Sequence, residues 1–525
     1  MENKKVTFKE YQMGQPMLLP PNLEELIPEK HLVRVINRVI ETMDLSEIIS
    51  GYKGGGTSSY HPKMLLKVIV YAYAEKIYSG RQIAKAIREN INFMWLSGGN
   101  RPDFRTINRF RGERLKGSIQ AVFTEVLEYL IEHKFIKLEH YFVDGTKIEA
   151  NANRYSFAWK KSTQKYKKNL QAKVKELFDE IDQINATEEA EYGDRDLAEL
   201  GEESEIDTKK LEDLAERLSQ KLKQDPENKA LKKKVKKLKS DFIPRMEKYE
   251  TYEKVMGKRN SFSKTDPDAT FMRMKDDHMR NRSLKPGYNV QIGTENQFIV
   301  GYSLHQVSTD SSTLPAHLQQ VKENLGVLPK TIIADAGYGS EENYLLLEKE
   351  QIEGFVKYNT FYKESKKKRK GIEKDKYLAR NFHYDEEQDL FLCPENKPLL
   401  YEGVKRIRTN AGFLSERRVY RCHDCDGCSV RELCTQSNYG RSIQYSHRLA
   451  KFRKNAFDRL NSEIGRKLRK LRYPEVEAVF GLIKGNQKFR RFHLRGLEKV
   501  TVEWGLVSIA PVSYTHLTLP TKRIV

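Results

Sequence analysis

Two stretches of the chain share one hydrophobic pattern, a short apolar run that stops at an acid. Thr331-Ile332-Ile333-Ala334 leads into Asp335; Gly337, Tyr338 and Gly339 follow, and a helix-like segment opens at Ser340-Glu341-Glu342. The pattern predicts a buried strand, a tight glycine turn and an N-capped helix. His140-Tyr141-Phe142-Val143 runs in the same way into Asp144-Gly145-Thr146. An acid at the carboxyl end of a buried strand is costly unless partnered. A metal ion is one partner; capping a turn or helix is the other. Two such strands together point to one metal site that both supply.

The remaining pattern divides the chain. Residues 1–135 read as an all-α N-terminal DNA-binding domain, with helical spacing in His31–Met43 and from Pro62 onward. A turn at Ser79-Gly80 leads into a basic helix. Asp103 then caps a second short helix that carries Arg105, Arg109 and Arg111. The pair resembles a helix-turn-helix unit, with the three arginines as DNA contacts. An ordinary helical bundle with a solvated basic face gives the same pattern. Residues 158–259 form a charged insertion with coiled-coil spacing. Leu170, Val174, Leu177, Ile181 and Ile184 make one arm, Leu211, Leu214, Leu218 and Leu222 a second, and Leu231, Val235, Leu238 and Phe242 a third. An acidic linker, Glu188 to Asp207, separates the first two arms. A protruding helical hairpin follows, serving as a structural arm or dimer contact. From Ser261 the chain is compact again: a turn-rich loop with Asp266 and Asp268, a β-hairpin joined by Thr294 to Gln297, a helix Thr313–Leu325, the Asp335 strand, a helix Glu341–Gln351 and a strand Gly354–Tyr358. The order predicts an α/β core with a mixed sheet, built from 136–157, 260–360 and 451–510.

Charge adds the partner class. The 525 residues carry a net charge of +21, with 38% hydrophobic and 32% charged residues. That leaves enough apolar content for a core and favours a polyanion. No apolar run long enough for a transmembrane helix occurs, and the N-terminus has no signal-peptide core. A soluble cytoplasmic protein that meets nucleic acid is expected. Residues 361–450 make a small insertion with a basic run, Lys366 to Lys370, and the cysteines. Cys422, Cys425, Cys428 and Cys434 are spaced C-x2-C-x2-C-x5-C, with Cys393 upstream. Four thiolates satisfy tetrahedral zinc, and the spacing also fits iron–sulfur ligation. Reduced thiols in a small subdomain are the alternative; a disulfide is not expected in the cytosol.

Segment 451–496 holds fourteen lysines and arginines against four acids. Pro474 suits the first turn of a helix. Glu477, Phe480, Gly481 and Lys484 then share a face. Alone, Glu477 reads as a salt-bridge partner; beside Asp144 and Asp335 it reads as a third ligand. Two strand-borne aspartates, then a helix-borne glutamate with a lysine seven residues later, resemble the DDE transposases. The chain is similar to those of bacterial insertion sequences in the branch with a cysteine-rich insertion before the last acid. The resemblance rests on the N-terminal helical region to Arg111, on 141–154, 264–273 and 332–340, on the cysteines and on 476–500. It implies an RNase H-like catalytic core with Asp144, Asp335 and Glu477 holding Mg2+ or Mn2+. It further implies double-stranded DNA, both transposon ends and target, as partner, a homodimer in the DNA complex and association with the nucleoid. The reaction implied is metal-dependent cleavage and strand transfer, for which two ions about 4 Å apart activate the nucleophile and stabilise the leaving oxygen. Lys484, Lys488, Arg490 and Arg491 would contact DNA. Asp266 and Asp268 are rival ligands.

The family signature also places a tyrosine and an arginine seven and four positions before the glutamate. Here those positions are Lys470 and Tyr473, with Arg469 and Arg472 nearby as substitute cations. An inactive or domesticated DNA-binding protein and a nuclease of the same fold are the competing functions. Residues 511–525 are expected to be a non-native tail, because Val512 to Thr521 matches a reading frame through a library-preparation adapter.

Overall fold

The computed structural model describes residues 22–52, 59–192, 206–224, 226–274, 283–365, 376–409 and 412–518. The Lys366–Lys370 run, most of the acidic linker, the side chains of Ile181 and Ile184 and the end of the tail lie outside the described residues. The chain groups into two units, Met1–His133 with Trp504–Val525, and Lys134–Glu503.

The first unit is helical. Its helix Pro62–Ala74 is buried at every position from Leu65 to Ala74, as expected of a helix apolar on all faces. Pro62 opens it where no N–H is needed, and His61 accepts the Lys63 N–H at 3.2 Å. Helices Leu32–Thr42, Gly80–Glu89 and Ile119–Glu132 each bury one apolar stripe. The terminal helix Leu497–Thr518 is buried throughout Val502–Ala510. From Trp504 it belongs to this unit.

The second unit is built on a six-stranded mixed sheet flanked by helices. Strand β1 (His140–Glu149) leads into a small ribbon, β2 (Phe157–Trp159) with β3 (Ser261–Ser263). Then come β4 (Thr270–Arg273), β5 (Leu284–Glu295), β6 (Phe298–His305), β7 (Thr331–Ala334) and β8 (Glu353–Val356). The sheet order is β4-β5-β1-β7-β8, with β6 paired to β5. Strands β1, β7 and β8 run parallel; β1 and β5 run antiparallel. The β5–β6 turn is tighter than the sequence pattern predicts. Asn296 and Gln297 have φ of 52° and 67°, the paired left-handed geometry of a two-residue hairpin. The loop around Asp266 runs on into β4, a strand the sequence pattern did not reveal.

A buried aromatic fixes the middle of this sheet. Tyr141 of β1 lies against Gly293 and Gly301 on the neighbouring strands; a Cβ on either would fall 1.8 or 2.4 Å from its ring or hydroxyl. Its hydroxyl meets His317 Nε2 at 2.9 Å, His317 Nδ1 meets Ser303 Oγ at 2.8 Å, and Ser303 Oγ meets His305 Nε2 at 2.7 Å.

Between β2 and β3 the chain forms helices Lys160–Tyr192, Thr208–Gln224, Lys229–Lys237 and Ile243–Met256. They share one apolar cluster running from Leu170 to Met246. A π turn, Leu238–Phe242, joins the last two. The expected arms are thus packed around a common core, wider than a two-helix seam. The cysteine-bearing insertion is an antiparallel sheet, β9 (His383–Asp385), β10 (Leu390–Leu392), β11 (Pro398–Arg408), β12 (Leu414–Arg421) and β13 (Ser442–Tyr445), in the order β13-β12-β11-β10-β9. It is fastened by Glu341 in the helix Glu341–Lys349. That carboxylate, on a residue 7% exposed, accepts Ser415 Oγ at 2.6 Å and Arg448 Nε at 2.7 Å.

Buried His317 and half-buried His305 make stability depend on pH. Burial holds His317 down to about 3 and His305 down to about 4, against an ordinary 6.5. The unfolded chain binds these protons at higher pH than the folded chain. Their contribution is complete above pH 6.5 and is lost as pH falls toward 4, with a slope of up to ~1.4 kcal/mol per pH unit for each group. Chemical denaturation of the protein and of His317→Gln between pH 7 and 4, a window set by those values, should give a shallower decline for the variant. Equal slopes would remove His317 from this role.

Candidate active site and nucleic-acid interface

The strand register brings the two aspartates together. The parallel pairing of β1 with β7 ends at Val143 opposite Ala334. The next residues are Asp144 and Asp335, on adjacent strands that lie about 4.8 Å apart. Asp144 is not at the end of its strand, as the pattern suggested. β1 continues to Glu149 against β5, so Asp144 sits where β1 loses its β7 partner. The two readings of Asp335 are both realised. Its Oδ1 accepts the Gly337 N–H at 2.8 Å and caps the following turn, while Oδ2 faces the same guanidinium that Asp144 meets.

That guanidinium belongs to Arg472. Arg472 Nη2 lies 3.0 Å from Asp144 Oδ2 and 3.9 Å from Asp335 Oδ2, and Nη1 lies 2.6 Å from Glu477 Oε1. Its side chain is 8% exposed, against 13% for Asp144, 37% for Asp335 and 42% for Glu477. Three carboxylates far apart in sequence therefore surround one buried cation. Among the described residues, no group of three or more His, Cys, Asp or Glu side chains is arranged to hold a metal ion as it stands; here the arginine lies between the carboxylates. Their donor chemistry, several carboxylate oxygens round one positive centre, is that of a hard-cation site.

The helix carrying Arg472 and Glu477 explains the altered spacing. It starts at Glu463, capped by Ser462 Oγ on the Gly465 N–H at 3.0 Å. It continues through a π turn, Tyr473–Glu477, in which the Ala478 N–H bonds to the Tyr473 carbonyl. Pro474 does not open this helix; it lies inside it. Proline removes one N–H from the ladder, and the wider π turn accommodates that loss. A π turn holds one extra residue. A side chain five positions before Glu477 then reaches the face that one four before would reach in an α-helix. Arg472, five positions before Glu477, thus meets its carboxylate, while Tyr473, four positions before it, is 71% exposed.

Behind the aspartates is a buried polar chain. Tyr338, fully buried, donates to Gln291, whose Nε2 donates to Asp310 Oδ1 at 3.0 Å; Asn289 Nδ2 adds a second bond at 2.8 Å. Burial, then the nearby Asp310, Asp144 and Asp335 charges, pushes the Tyr338 hydroxyl well above 10. Sequence reasoning missed Asp310, because Asp310-Ser311-Ser312 reads as a turn. Asp266 and Asp268, the rival ligands, are fixed elsewhere and not in a loose loop. Asp266 is 1% exposed and accepts Tyr288 OH at 2.9 Å and Gly496 N–H at 3.1 Å. Asp268 accepts the Leu497 N–H at 2.8 Å.

Among the proposed DNA contacts, Arg105 and Arg109 are exposed. Arg105 lies beside the Phe104 ring, and Arg109 pairs with Glu113 at 3.3 Å. Arg111 corrects the sequence expectation. It is 3% exposed and donates to the Tyr78 carbonyl at 2.6 Å and Tyr73 hydroxyl at 3.0 Å. A guanidinium held by buried acceptors has no access to DNA. The expected two-helix unit also contains a further helix, Ile91–Leu96, between its members. Lys484 is half-buried in a second π turn, Leu482–Asn486, and Lys488 is exposed. Arg490 donates to the Lys484 carbonyl at 3.1 Å. Arg491 donates to the carbonyls of Ala150 and Ala152 at 3.2 and 3.3 Å, so it also ties this segment to the end of β1.

Two family models match the chain. One, described as a transposase DDE domain, covers residues 392–511. The other, described as a transposase domain (DUF772), covers residues 21–113. The two matches support an insertion-sequence DDE transposase. No curated protein and no solved structure matches it. Glu477 and Lys484 fall inside the DDE match; Asp144 and Asp335 precede it. No described helix is long and apolar enough to cross a membrane.

All five cysteines are free thiols and line one small cavity, about 20 Å³, with Tyr377 and Arg441. Burial pushes Cys422 up to about 11 and raises Cys434. Two thiols already accept backbone N–H groups. Lys397 donates to Cys393 Sγ and Arg441 to Cys425 Sγ, each at 3.3 Å. Cys393, placed apart by the sequence spacing, joins the cluster through the β10–β11 turn.

The ion-pair geometry sets a stability test. Arg472→Gln leaves three carboxylates facing one another without their cation. Loss of so buried a partner should lower stability by about 3 kcal/mol at neutral pH. Added Mn2+ should raise the melting temperature of the variant more than that of the parent, since a divalent ion supplies the missing charge. Differential scanning fluorimetry with and without the ion reads both; an unchanged melting temperature in the variant would show that the arginine does not hold the acids.

Proposed function

We propose that this transposase binds insertion-sequence ends and carries out DNA cleavage and strand transfer at Asp144, Asp335 and Glu477, on an RNase H-like core. The observation that carries the reading is the convergence of these three acids, from β1, β7 and the helix starting at Glu463, on one buried cation. Asp144, Asp335 and Glu477 would hold Mg2+ or Mn2+ when Arg472 withdraws from between them. Such ions activate a water or a 3′-hydroxyl and stabilise the leaving oxygen. Lys484, Lys488 and Arg490 are suited to hold the flanking phosphates, which supplies affinity and register and not base reading. Arg105 and Arg109 are suited to end recognition, and the DNA complex would be a homodimer. Intact acids favour this over an inactive DNA-binding protein.

Asp144→Asn, Asp335→Asn and Glu477→Gln should each lower cleavage of a transposon-end duplex more than about a hundredfold, since even outer partners of metal ligands are worth up to that much. Gel-shift binding of the same duplex should persist. Full cleavage by any of the three would end the assignment. Lys484→Ala should weaken binding and make the salt dependence shallower by about one counterion; an unchanged slope would make the lysine structural.

The cysteine cavity is suited to one structural ion bound by four of the five thiolates, zinc by preference and an iron–sulfur cluster otherwise. Elemental analysis of purified protein should find about one zinc, or iron with a visible chromophore. A chelator should unfold the insertion by circular dichroism. A metal-free protein with an intact insertion would overturn the proposal.

A further inference from the structure

The helix Lys160–Tyr192, which opens the long insertion, divides its charge along its length. Residues 160–175 hold seven lysines and no acid; the acids begin at Glu176. Thr163, Leu170, Val174 and Leu177 are buried along one face. At about 100° per residue, Lys161, Lys165, Lys168 and Ala172 fall directly opposite that face, with Lys175 at its border. These four lysines are exposed, and none forms an ion pair among the described residues. By contrast Lys167, turned toward the buried face, pairs with Glu253 at 2.7 Å.

This row works against the helix that carries it. Like charges three and four residues apart repel. Lys160 and Lys161 also sit in the first turn, where the helix dipole disfavours cations and no acid offsets them. A face that meets only water gains from mixing both signs at that spacing; a row kept clear of acids is offset by an anion from outside. The row is about 21 Å long at 1.5 Å per residue. A DNA duplex along it presents one negative charge per ~1.7 Å. The start of the helix is fixed to the core: the Lys160 N–H donates to the Asn260 carbonyl at 2.9 Å, and the Lys264 N–H to that of Ser156 at 3.0 Å. The loop just before it holds Arg491 through the carbonyls of Ala150 and Ala152, and Arg495 through that of Asn151 at 2.7 Å. The row thus begins a short ribbon away from the segment around Lys488.

We propose that the face bearing Lys161, Lys165, Lys168 and Lys175 is a second phosphate-binding surface, taking the backbone of duplex DNA that runs on past the segment around Lys488. It reads no bases; lysines on phosphates add affinity and fix the path of the flanking duplex. The proposal rests on the DNA reading above and gives the insertion a partner other than a second copy of the chain.

The test follows binding of a labelled duplex to the full chain by fluorescence anisotropy over a range of salt concentrations. The variant Lys161→Gln/Lys165→Gln/Lys168→Gln/Lys175→Gln should make the slope of log K against log salt shallower by about 3–4, at about 0.9 per lost phosphate contact, and weaken low-salt binding at least about tenfold. The matched variant Lys229→Gln/Lys232→Gln/Lys233→Gln/Lys236→Gln removes the same charge from exposed positions on another helix of the insertion. It should change the slope by less than about one. Equal effects of the two variants, or a parent slope retained by the first, would overturn the surface. In the parent itself, bound duplex should shield Lys161, Lys165, Lys168 and Lys175 from an amine-reactive label read by mass spectrometry. Labelling unchanged by the duplex would overturn the surface without any variant, and this readout decides if a variant fails to fold. A parent that does not bind the duplex overturns the DNA reading itself.

Discussion

Arg472 is the constraint on which the sheet-bearing unit, Lys134–Glu503, depends. Its guanidinium is nearly sealed from water, and a buried cation without partners is strongly destabilising. The partners come from three places: the point where β1 separates from β7, the turn after β7, and the next turn of its own helix. The arrangement requires the parallel β1–β7 register, because a one-residue slip would turn Asp144 to the opposite face. It requires the helix starting at Glu463 to lie across that edge. It also requires the long insertion between β1 and β5 to fold as a body of its own, so that distant strands can pair around it. One guanidinium thereby couples secondary structure, register and chemistry.

Much of this was legible in the chain. The apolar runs before Asp144 and Asp335 gave two strands and two acids, and the hairpin, helices and mixed sheet follow from period and turn residues. The less legible parts have definite physical causes. Asp144 looked like a strand end because the Asp-Gly pair is a turn signal; the β5 ladder overrides it. Arg111 looked like a DNA contact because charge is normally solvated. Its burial depends on Tyr73 and Tyr78, whose proximity no local pattern reveals. Asp266 and Asp268 looked mobile because their neighbours are turn formers, yet Tyr288 and the start of the helix at Leu497 fix them. β4 was missed because four residues carry too little periodicity to register.

The cysteine-bearing insertion is more than an appendage in this structure. Glu341 opens the helix that follows the Asp335 turn, and its carboxylate binds side chains on both sides of the insertion, Ser415 and Arg448. A buried acid satisfied in this way resists being pulled from its partners. The insertion is consequently held in register with the sheet edge bearing the acids. Its own small core is Phe382, Phe391, Leu399, Tyr420, Cys422 and Ile443, few side chains for a five-stranded sheet. The thiol cavity lies against that core, with Cys422 belonging to both, so any ion bound there would stiffen the insertion.

The π turn at Tyr473–Glu477 bears on how such a site tolerates genetic change. In a regular helix, inserting one codon rotates everything beyond it by about a hundred degrees, enough to carry a functional side chain off its face. A π turn confines that rotation to a single loop of backbone. The residues on either side keep their facing, and the cost is one weakened hydrogen bond or so. A motif can then drift in sequence spacing while remaining constant in space. Here Arg472 keeps its place beside Glu477 although a proline and a widened turn lie between them.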